Sequence, residues 1–182
     1  MKGIAKFFKV SFDEFMVGIN DIKPDISNDE AKAMYDDIKL PKRATKGSAG
    51  YDFFAPFSFN LKPGETIKIP TGIRAKMDSE WVLCLFPRSG LGFKYRLQLN
   101  NTVGIIDSDY FYSDNEGHIF AKITNDSNEG KELSVDKGAG FIQGIFMEFG
   151  TTVDDDVSEE RNGGFGTPEA EPWSLFDRAD FE

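Results

Sequence analysis

The chain has 182 residues, 40% of them hydrophobic, and a formal net charge of −10. This length and hydrophobic content predict one globular domain with a core rather than a disordered chain. The excess of acidic residues argues against a nucleic-acid backbone as a partner, but leaves room for a small anion held by a few local cations.

A single cysteine, Cys84, and a single histidine, His118, limit the chemistry of the chain. One cysteine cannot build a disulfide framework, and one histidine with one cysteine argues against a zinc centre. We interpret Cys84 as a buried thiol in a strand and His118 as a structural residue at a strand start. Because no signal peptide or bilayer-spanning stretch is visible, we expect a soluble cytoplasmic protein without a membrane partner.

The predicted elements begin with a strand over residues 4–12, "IAKFFKVSF", followed by a helix near residues 28–38. Ser27 and Glu30 have the spacing of a capping box, and Pro41 ends the helix. Downstream, short apolar or alternating runs between glycines and prolines predict strands. These runs include "TIKI", "EWVLCLF", "NTVGII", "HIFAKIT" and "FIQGIFMEF".

Residues 1–150 are therefore predicted to form one all-β domain, a barrel or jelly-roll, with one short inserted helix. Residues 151–182 have a different texture, with acidic runs, a glycine cluster and scattered aromatic residues. We predict a flexible C-terminal arm that becomes ordered on a partner or ligand, although this composition also fits a disordered solubilising tail.

Four segments carry candidate site residues. In "PRSGLG" a strand ends in Arg88, Ser89 and two glycines, an arrangement that suits an anion. Asp52 lies between aromatic residues, where a carboxylate requires a partner such as an arginine. Asp107 follows an apolar strand, where it either caps a turn or serves as a general base or metal-site organiser. In "RNGGFG", backbone amides suit phosphate oxygens and Phe165 suits a planar base, with a simple linker as the alternative.

Five motifs, "AGYD", "PRSGLG", "GIIDSDY", "FIQGIF" and "RNGGFG", occur in this order within residues 41–167. In this order the chain resembles the trimeric deoxyuridine triphosphatases (dUTPases). The resemblance implies hydrolysis of dUTP to dUMP and pyrophosphate with Mg²⁺. It also implies a homotrimer in which each site is built from more than one subunit.

The resemblance assigns catalytic and phosphate-binding roles. It makes Asp107 the general base that deprotonates a water attacking the α-phosphorus, and it places Asp52 near Mg²⁺ through a water molecule. The phosphate ligands that it implies are Arg88, Ser89, the backbone of Gly90, Gln143 and, for the γ-phosphate, Arg161.

The resemblance also assigns the recognition of base and sugar. Tyr110 is expected to lie against the deoxyribose and leave no room for a 2′-hydroxyl, while Phe165 stacks over uracil. The hairpin residues expected to read uracil, mainly through the backbone, are Asn101, Ile105 and Ile106.

The sequence departs from the family pattern at several positions. Gly140 stands where an arginine is usual, Tyr112 stands where a glycine is usual, and Arg161 lies four rather than five residues before Phe165. Two alternatives stay open. A dCTP deaminase would need a glutamate in the body of "HIFAKITND", which has none. A nucleotide-sensing regulatory protein would use the added helix and the tail "PWSLFDRADFE" to bind a protein partner.

Overall fold

A computed structural model describes residues 3–158, so Arg161 and Phe165 lie outside the described residues. This part of the chain is mostly β-structure with three α-helices and a 3-10 helix. The strands are β1 (Ala5–Lys9), β2 (Lys42–Arg43), β3 (Tyr51–Phe54), β4 (Phe59–Leu61), β5 (Thr66–Pro70), β6 (Ile73–Met77), β7 (Trp81–Pro87), β8 (Leu97–Leu99), β9 (Gly104–Ile106), β10 (Phe120–Asn125), β11 (Leu133–Val135) and β12 (Gly140–Glu148). The helices are α1 (Phe12–Asn20), α2 (Asn28–Asp36), α3 (Ser89–Tyr95) and the 3-10 helix Ser108–Tyr112. No helix within residues 3–158 is long and apolar enough to cross a membrane.

The strands of residues 3–158 form four antiparallel sheets. The largest has the order β2-β3-β12-β7-β9, a second has the order β5-β10-β8, and β1 pairs with β6 and β11 with β4. The strands β4, β8, β9 and β11 have only 3 residues each, so their ladders are short. The all-β prediction is thus confirmed in a coarser form, a mostly β fold without a closed barrel in the described residues.

The predicted inserted helix is α2, where the Ser27 hydroxyl accepts a hydrogen bond of 3.2 Å from the Glu30 amide. The prediction of only one helix was wrong. The strand predicted over residues 4–12 is shorter, because the Ser11 hydroxyl accepts a 3.1 Å hydrogen bond from the Glu14 amide and starts α1. The Ser11–Glu14 spacing is the same capping signal as the Ser27–Glu30 spacing.

The five-stranded sheet separates the core from a partly exposed apolar face. Side chains alternate along a strand, so Leu83 and Leu85 point into the core while their neighbours on β7 point outward. Cross-strand pairing continues the outward set onto β9 and β12. We call this set the outer sheet face: Val82, Cys84, Phe86, Ile105, Ile145 and Met147. It includes Ile105 at 55% exposure and Met147 at 40%.

Candidate active site

Three predicted site residues meet where β3, β12 and β7 lie side by side. Gln143 on β12 is opposite Asp52 on β3 and opposite Phe86 on β7. The Gln143 amide nitrogen donates to the Pro87 carbonyl at 3.2 Å, which ties the side chain to the end of β7. Arg88 follows directly, so the sheet register brings the acid, the amide and the cation to one end of the sheet.

Arg88 is held by the chain itself. Its Nε lies 3.2 Å from Oδ1 of Asp52, and one of its terminal nitrogens donates to the Gly140 carbonyl at 3.2 Å. The Asp52 side chain is only 18% exposed, so this pairing supplies the partner that its aromatic surroundings require. The guanidinium, at 44% exposure, remains accessible to a ligand.

Gly140 stands beside this cation. A Cβ on Gly140 would lie 3.0 Å from a terminal nitrogen of Arg88 and 3.2 Å from its Cδ, so the glycine leaves the space that Arg88 occupies. A larger side chain at this position would therefore require Arg88 to shift. The sequence shows that an arginine is missing at position 140, but it does not show that Arg88 lies against this glycine.

Ser89 and Gly90 are the first two residues of α3. Arg88 is the N-cap residue, and the first hydrogen bond of the helix runs from the Leu91 amide to the Arg88 carbonyl at 3.0 Å. The amides of Ser89 and Gly90 therefore precede the bonded turns, where free amides and the helix dipole favour an anion. Both residues are exposed, and no other atom lies within 4 Å of a Cβ built on Gly90.

Gly50 is a site residue that sequence reasoning missed. A Cβ on Gly50 would lie 2.5 Å from the side-chain oxygen of Gln143, so only glycine allows this close approach. Its place just before β3 in "AGYD" is the only sequence signal for it, and that signal does not show which side chain it faces.

Asp107 follows β9 and is half-buried. Its carbonyl accepts a 3.2 Å hydrogen bond from the Tyr110 amide at the start of the 3-10 helix. Burial raises the pKa of the Cys84 thiol, and the negative charge of Asp107 raises it further. The pairing of Ile105 with Cys84 puts Asp107, two residues after Ile105, on the same side of the chain as this thiol.

Within one chain, Asp107 lies at the other end of β7 from Asp52, Gln143 and the segment Arg88–Gly90, which we call the Arg88 cluster. Ile106 pairs with Leu83 in an antiparallel register, so Asp107 comes opposite Val82, six positions before Arg88. At a rise of about 3.3 Å per residue, six positions separate Asp107 from Arg88 by about 20 Å. One chain therefore does not bring the predicted base and the predicted phosphate ligands together.

Tyr110 is buried, at 6% exposure. Its hydroxyl donates to the His118 carbonyl at 2.7 Å and accepts from the Asn115 side-chain amide at 2.9 Å. Two hydrogen bonds at the phenol oxygen fix the orientation of the ring, so its position depends on the segment that supplies them.

The remaining predicted base-reading residues lie on β9 and on the loop between β8 and β9, which belong to different sheets and do not form the expected hairpin. Asn101 is exposed in this loop, and its carbonyl accepts a 2.7 Å hydrogen bond from the Val103 amide. Thr102 between them has a φ of 65°, which gives the loop a tight turn. Ile105 is exposed and Ile106 is half-buried on the strand that leads to Asp107.

A family model for dUTPase matches residues 36–168, a range that covers all five motifs. A deoxyuridine 5′-triphosphate nucleotidohydrolase from Lactococcus lactis is 44% identical over 133 residues, covering 71% of this chain and 87% of that protein. The crystal structure of a dUTPase from Streptococcus mutans matches with a TM-score of 0.56 at 39% identity, covering 64% of this chain and 89% of that one. A mutant dUTPase from phage phi11 of Staphylococcus aureus, whose structure shows the coordination of a structural Mg(II) ion, matches with a TM-score of 0.54 at 23% identity, over 66% of this chain and 90% of that one.

These matches agree with the mostly β fold described above. The chain belongs to the dUTPase family.

Proposed function

We propose that the protein hydrolyses dUTP to dUMP and pyrophosphate, which keeps uracil out of DNA and supplies dUMP. The family match over residues 36–168 is the observation that carries this proposal. A water molecule attacks the α-phosphorus, and the Asp107 carboxylate accepts its proton as the bond to the departing pyrophosphate breaks. Asp107 suits this role because it is half-buried at a strand end beside an apolar face.

The Arg88 cluster forms the phosphate-binding end in this proposal. Arg88 supplies charge, the Ser89 hydroxyl and the Gly90 amide donate to phosphate oxygens, and Gln143 adds a side-chain amide. The Ser89 hydroxyl would lie near the oxygen that bridges the α- and β-phosphates, where negative charge develops as the bond breaks. The contacts of Arg88 with Asp52 and Gly140 support the role, because a held cation needs little reorganisation when the ligand binds.

The separation of Asp107 from Arg88 supports a site made by two copies of the chain. A separation of about 20 Å along β7 is too far for both residues to act on one phosphorus from the same chain. The outer sheet face offers apolar surface for the contact between copies, including the exposed Ile105 and Met147. We propose the homotrimer of the dUTPase resemblance, with the base of one subunit facing the phosphate-binding end of another.

The described residues fit Mg²⁺ that is held mainly by the substrate. No group of three or more His, Cys, Asp or Glu side chains in residues 3–158 could hold a metal ion. Mg²⁺ commonly takes its ligands from phosphates, water and one carboxylate, and Asp52 is a carboxylate beside the phosphate-binding end. When bound, the ion would neutralise phosphate charge and orient the phosphate oxygens.

Recognition of the nucleoside is assigned to the segment around Asp107. The fixed ring of Tyr110 would exclude a 2′-hydroxyl by crowding. Asn101, Ile105 and Ile106 would read uracil from β9 and the loop before it. The roles of Arg161 and Phe165 in closing the arm over the substrate stay predictions, as does the cytoplasmic location.

A pyrophosphate-release assay with dUTP, dCTP and UTP tests the proposal. We expect turnover of dUTP alone, and a protein without dUTP turnover would contradict it. Deleting residues 160–182 is expected to lower the rate and leave the oligomeric state unchanged. The named relatives are all dUTPases, which favours hydrolysis over the deaminase, while the regulatory role stays a prediction for binding assays.

A further inference from the structure

The chain before residue 36 precedes the range that the family model matches, yet it packs against the segment after Asp107. We call residues 3–35 the N-terminal segment and residues 107–118 the third-motif loop. The N-terminal segment joins the sheets through β1, which pairs with β6, and then forms α1 and α2. Three contacts of its own residues, and a fourth made through Arg74 on β6, tie it to the third-motif loop.

The first link is a buried histidine. His118 is 0% exposed, and its Nε2 accepts a 3.0 Å hydrogen bond from the Gly72 amide. The proton is therefore on Nδ1, which donates to Oε1 of Glu14 in α1 at 3.1 Å. Burial lowers the pKa of His118 to about 3, so the ring stays neutral in this arrangement near pH 7.

The second link is an exchanged helix cap. Glu14 and Glu30 both occupy the third position after a capping serine, the position from which a glutamate usually returns to the cap amide. In α1 the Glu14 side chain turns to His118 instead. The Ser11 amide donates to Oε2 of Glu116 at 2.8 Å, so the third-motif loop supplies the missing acceptor.

The third link runs through Arg74 on β6, the partner strand of β1. Its guanidinium lies 3.7 Å from the ring centre of Phe111, donates to the Phe111 carbonyl and lies 3.7 Å from Glu116. The fourth link is direct, because Phe8 of β1 packs on Phe111 with ring centres 5.7 Å apart. Both contacts hold the turn just after Tyr110.

His118 connects these links to the proposed sugar contact. Its side chain is held by Glu14, and its carbonyl accepts the hydrogen bond from the Tyr110 hydroxyl. We propose that Glu14 and His118 are positioning residues, through which the N-terminal segment holds Tyr110 in place and sharpens the preference for deoxyribose over ribose. This inference rests on the proposed contact between Tyr110 and the sugar.

Three full-length variants test it. Glu14→Ala removes the acceptor for His118, Glu14→Gln keeps an acceptor oxygen, and Glu30→Ala makes the same change at the same position of α2. The readouts are amide hydrogen exchange in the third-motif loop and the ratio of kcat/KM for dUTP over that for UTP. The ratio does not depend on the fraction of active protein, so partial unfolding does not imitate the effect.

We expect Glu14→Ala to speed exchange in the third-motif loop and lower the ratio about tenfold, the effect of one lost buried hydrogen bond. Glu14→Gln and Glu30→Ala should stay within about twofold of wild type. Should Glu14→Ala fail to fold, Glu116→Ala removes the acceptor of the second link and the ion pair of the third, and should move both readouts in the same direction.

Unchanged exchange in Glu14→Ala would overturn the inference, as would faster exchange with an unchanged ratio. A wild-type protein that hydrolyses UTP as fast as dUTP would instead contradict the proposed role of Tyr110. In that case, amide hydrogen exchange in Glu14→Ala would still show whether Glu14 holds the third-motif loop.

Discussion

Nε of Arg88 lies 3.2 Å from Oδ1 of Asp52, with the two side chains 44% and 18% exposed. A pair this accessible adds little to the free energy of unfolding, typically less than about 1 kcal/mol. The pair instead orients Arg88. Together with the Gly140 carbonyl, Asp52 fixes the direction of the Arg88 guanidinium before a phosphate binds.

Gly140→Arg restores the family residue and tests whether Arg88 keeps its position beside a larger side chain. The new Cβ would lie 3.0 Å from Arg88, so the guanidinium must shift from its place beside Asp52. We expect kcat/KM for dUTP to fall about tenfold, as for the loss of one charged hydrogen bond. Gly140→Ala brings the same Cβ without the charge and should act in the same direction. A gain of activity in Gly140→Arg would contradict the expectation that a larger side chain here disturbs Arg88.

Gly50→Ala tests the placement of Gln143. The added methyl would lie 2.5 Å from the Gln143 oxygen, so the side chain must leave the Pro87 carbonyl. Because the atom displaced is at the end of a flexible side chain, we expect a nearly unchanged Tm and a several-fold loss of kcat. Gly47→Ala is the matched control, since nothing lies within 4 Å of its Cβ. Equal activity of the two variants would remove Gln143 from the site.

Asp107→Asn should lower the pKa of Cys84. The thiol pKa is raised by burial and by the charge of Asp107, and the substitution removes the second cause. The chain has one cysteine, so the pH dependence of its alkylation rate with iodoacetamide, followed by mass, reports this group alone. Asp109→Asn, two residues away, is the control and should leave the curve in place. An unmoved Cys84 pKa in Asp107→Asn would mean that the carboxylate points away from β7.

Acid should destabilise the fold through His118. Its pKa is about 3 in the folded protein because of burial, against about 6.5 when unfolded. Between these values only the unfolded chain binds the proton, so the free energy of unfolding falls as pH falls. The slope is at most about 1.4 kcal/mol per pH unit.

Urea unfolding at pH 6 and pH 5, at one protein concentration, measures this slope. The comparison of wild type with His118→Gln isolates the contribution of the histidine. Between pH 6 and pH 5, the free energy of unfolding of wild type should fall by about 1 kcal/mol more than that of the variant. Burial and the charge of Glu116 raise the pKa of Glu14, which gives a slope of opposite sign as pH rises through that pKa. Identical slopes in the two proteins would contradict the buried neutral histidine.

Local signals predicted much of this structure. The capping spacing of Ser27 and Glu30 identified α2, and the strands followed from apolar runs between glycines and prolines. The same spacing at Ser11 and Glu14 marks α1, which the apolar alternation of residues 4–12 conceals. Local patterns therefore predict an element well only where two of them do not compete for the same residues.

Long-range relationships could not be predicted in the same way. The space that Gly140 leaves for Arg88 depends on the register of β12 against β7, across 52 residues of sequence. The contact of Glu14 with His118 crosses 104 residues. No periodicity or spacing encodes such pairs, so the family motifs indicated which residues matter and the structure shows what holds them.

The separation of Asp107 from the Arg88 cluster leads to the most direct test of the proposed site. Asp107→Asn and Ser89→Ala each disable one half, and each alone should lower kcat for dUTP at least about 100-fold. If each site takes its two halves from different copies, co-expression of the two variants in equal amounts restores about a quarter of the sites by random assembly. We predict pyrophosphate release near a quarter of the wild-type rate. A mixture no more active than the separate variants would contradict a site shared between subunits.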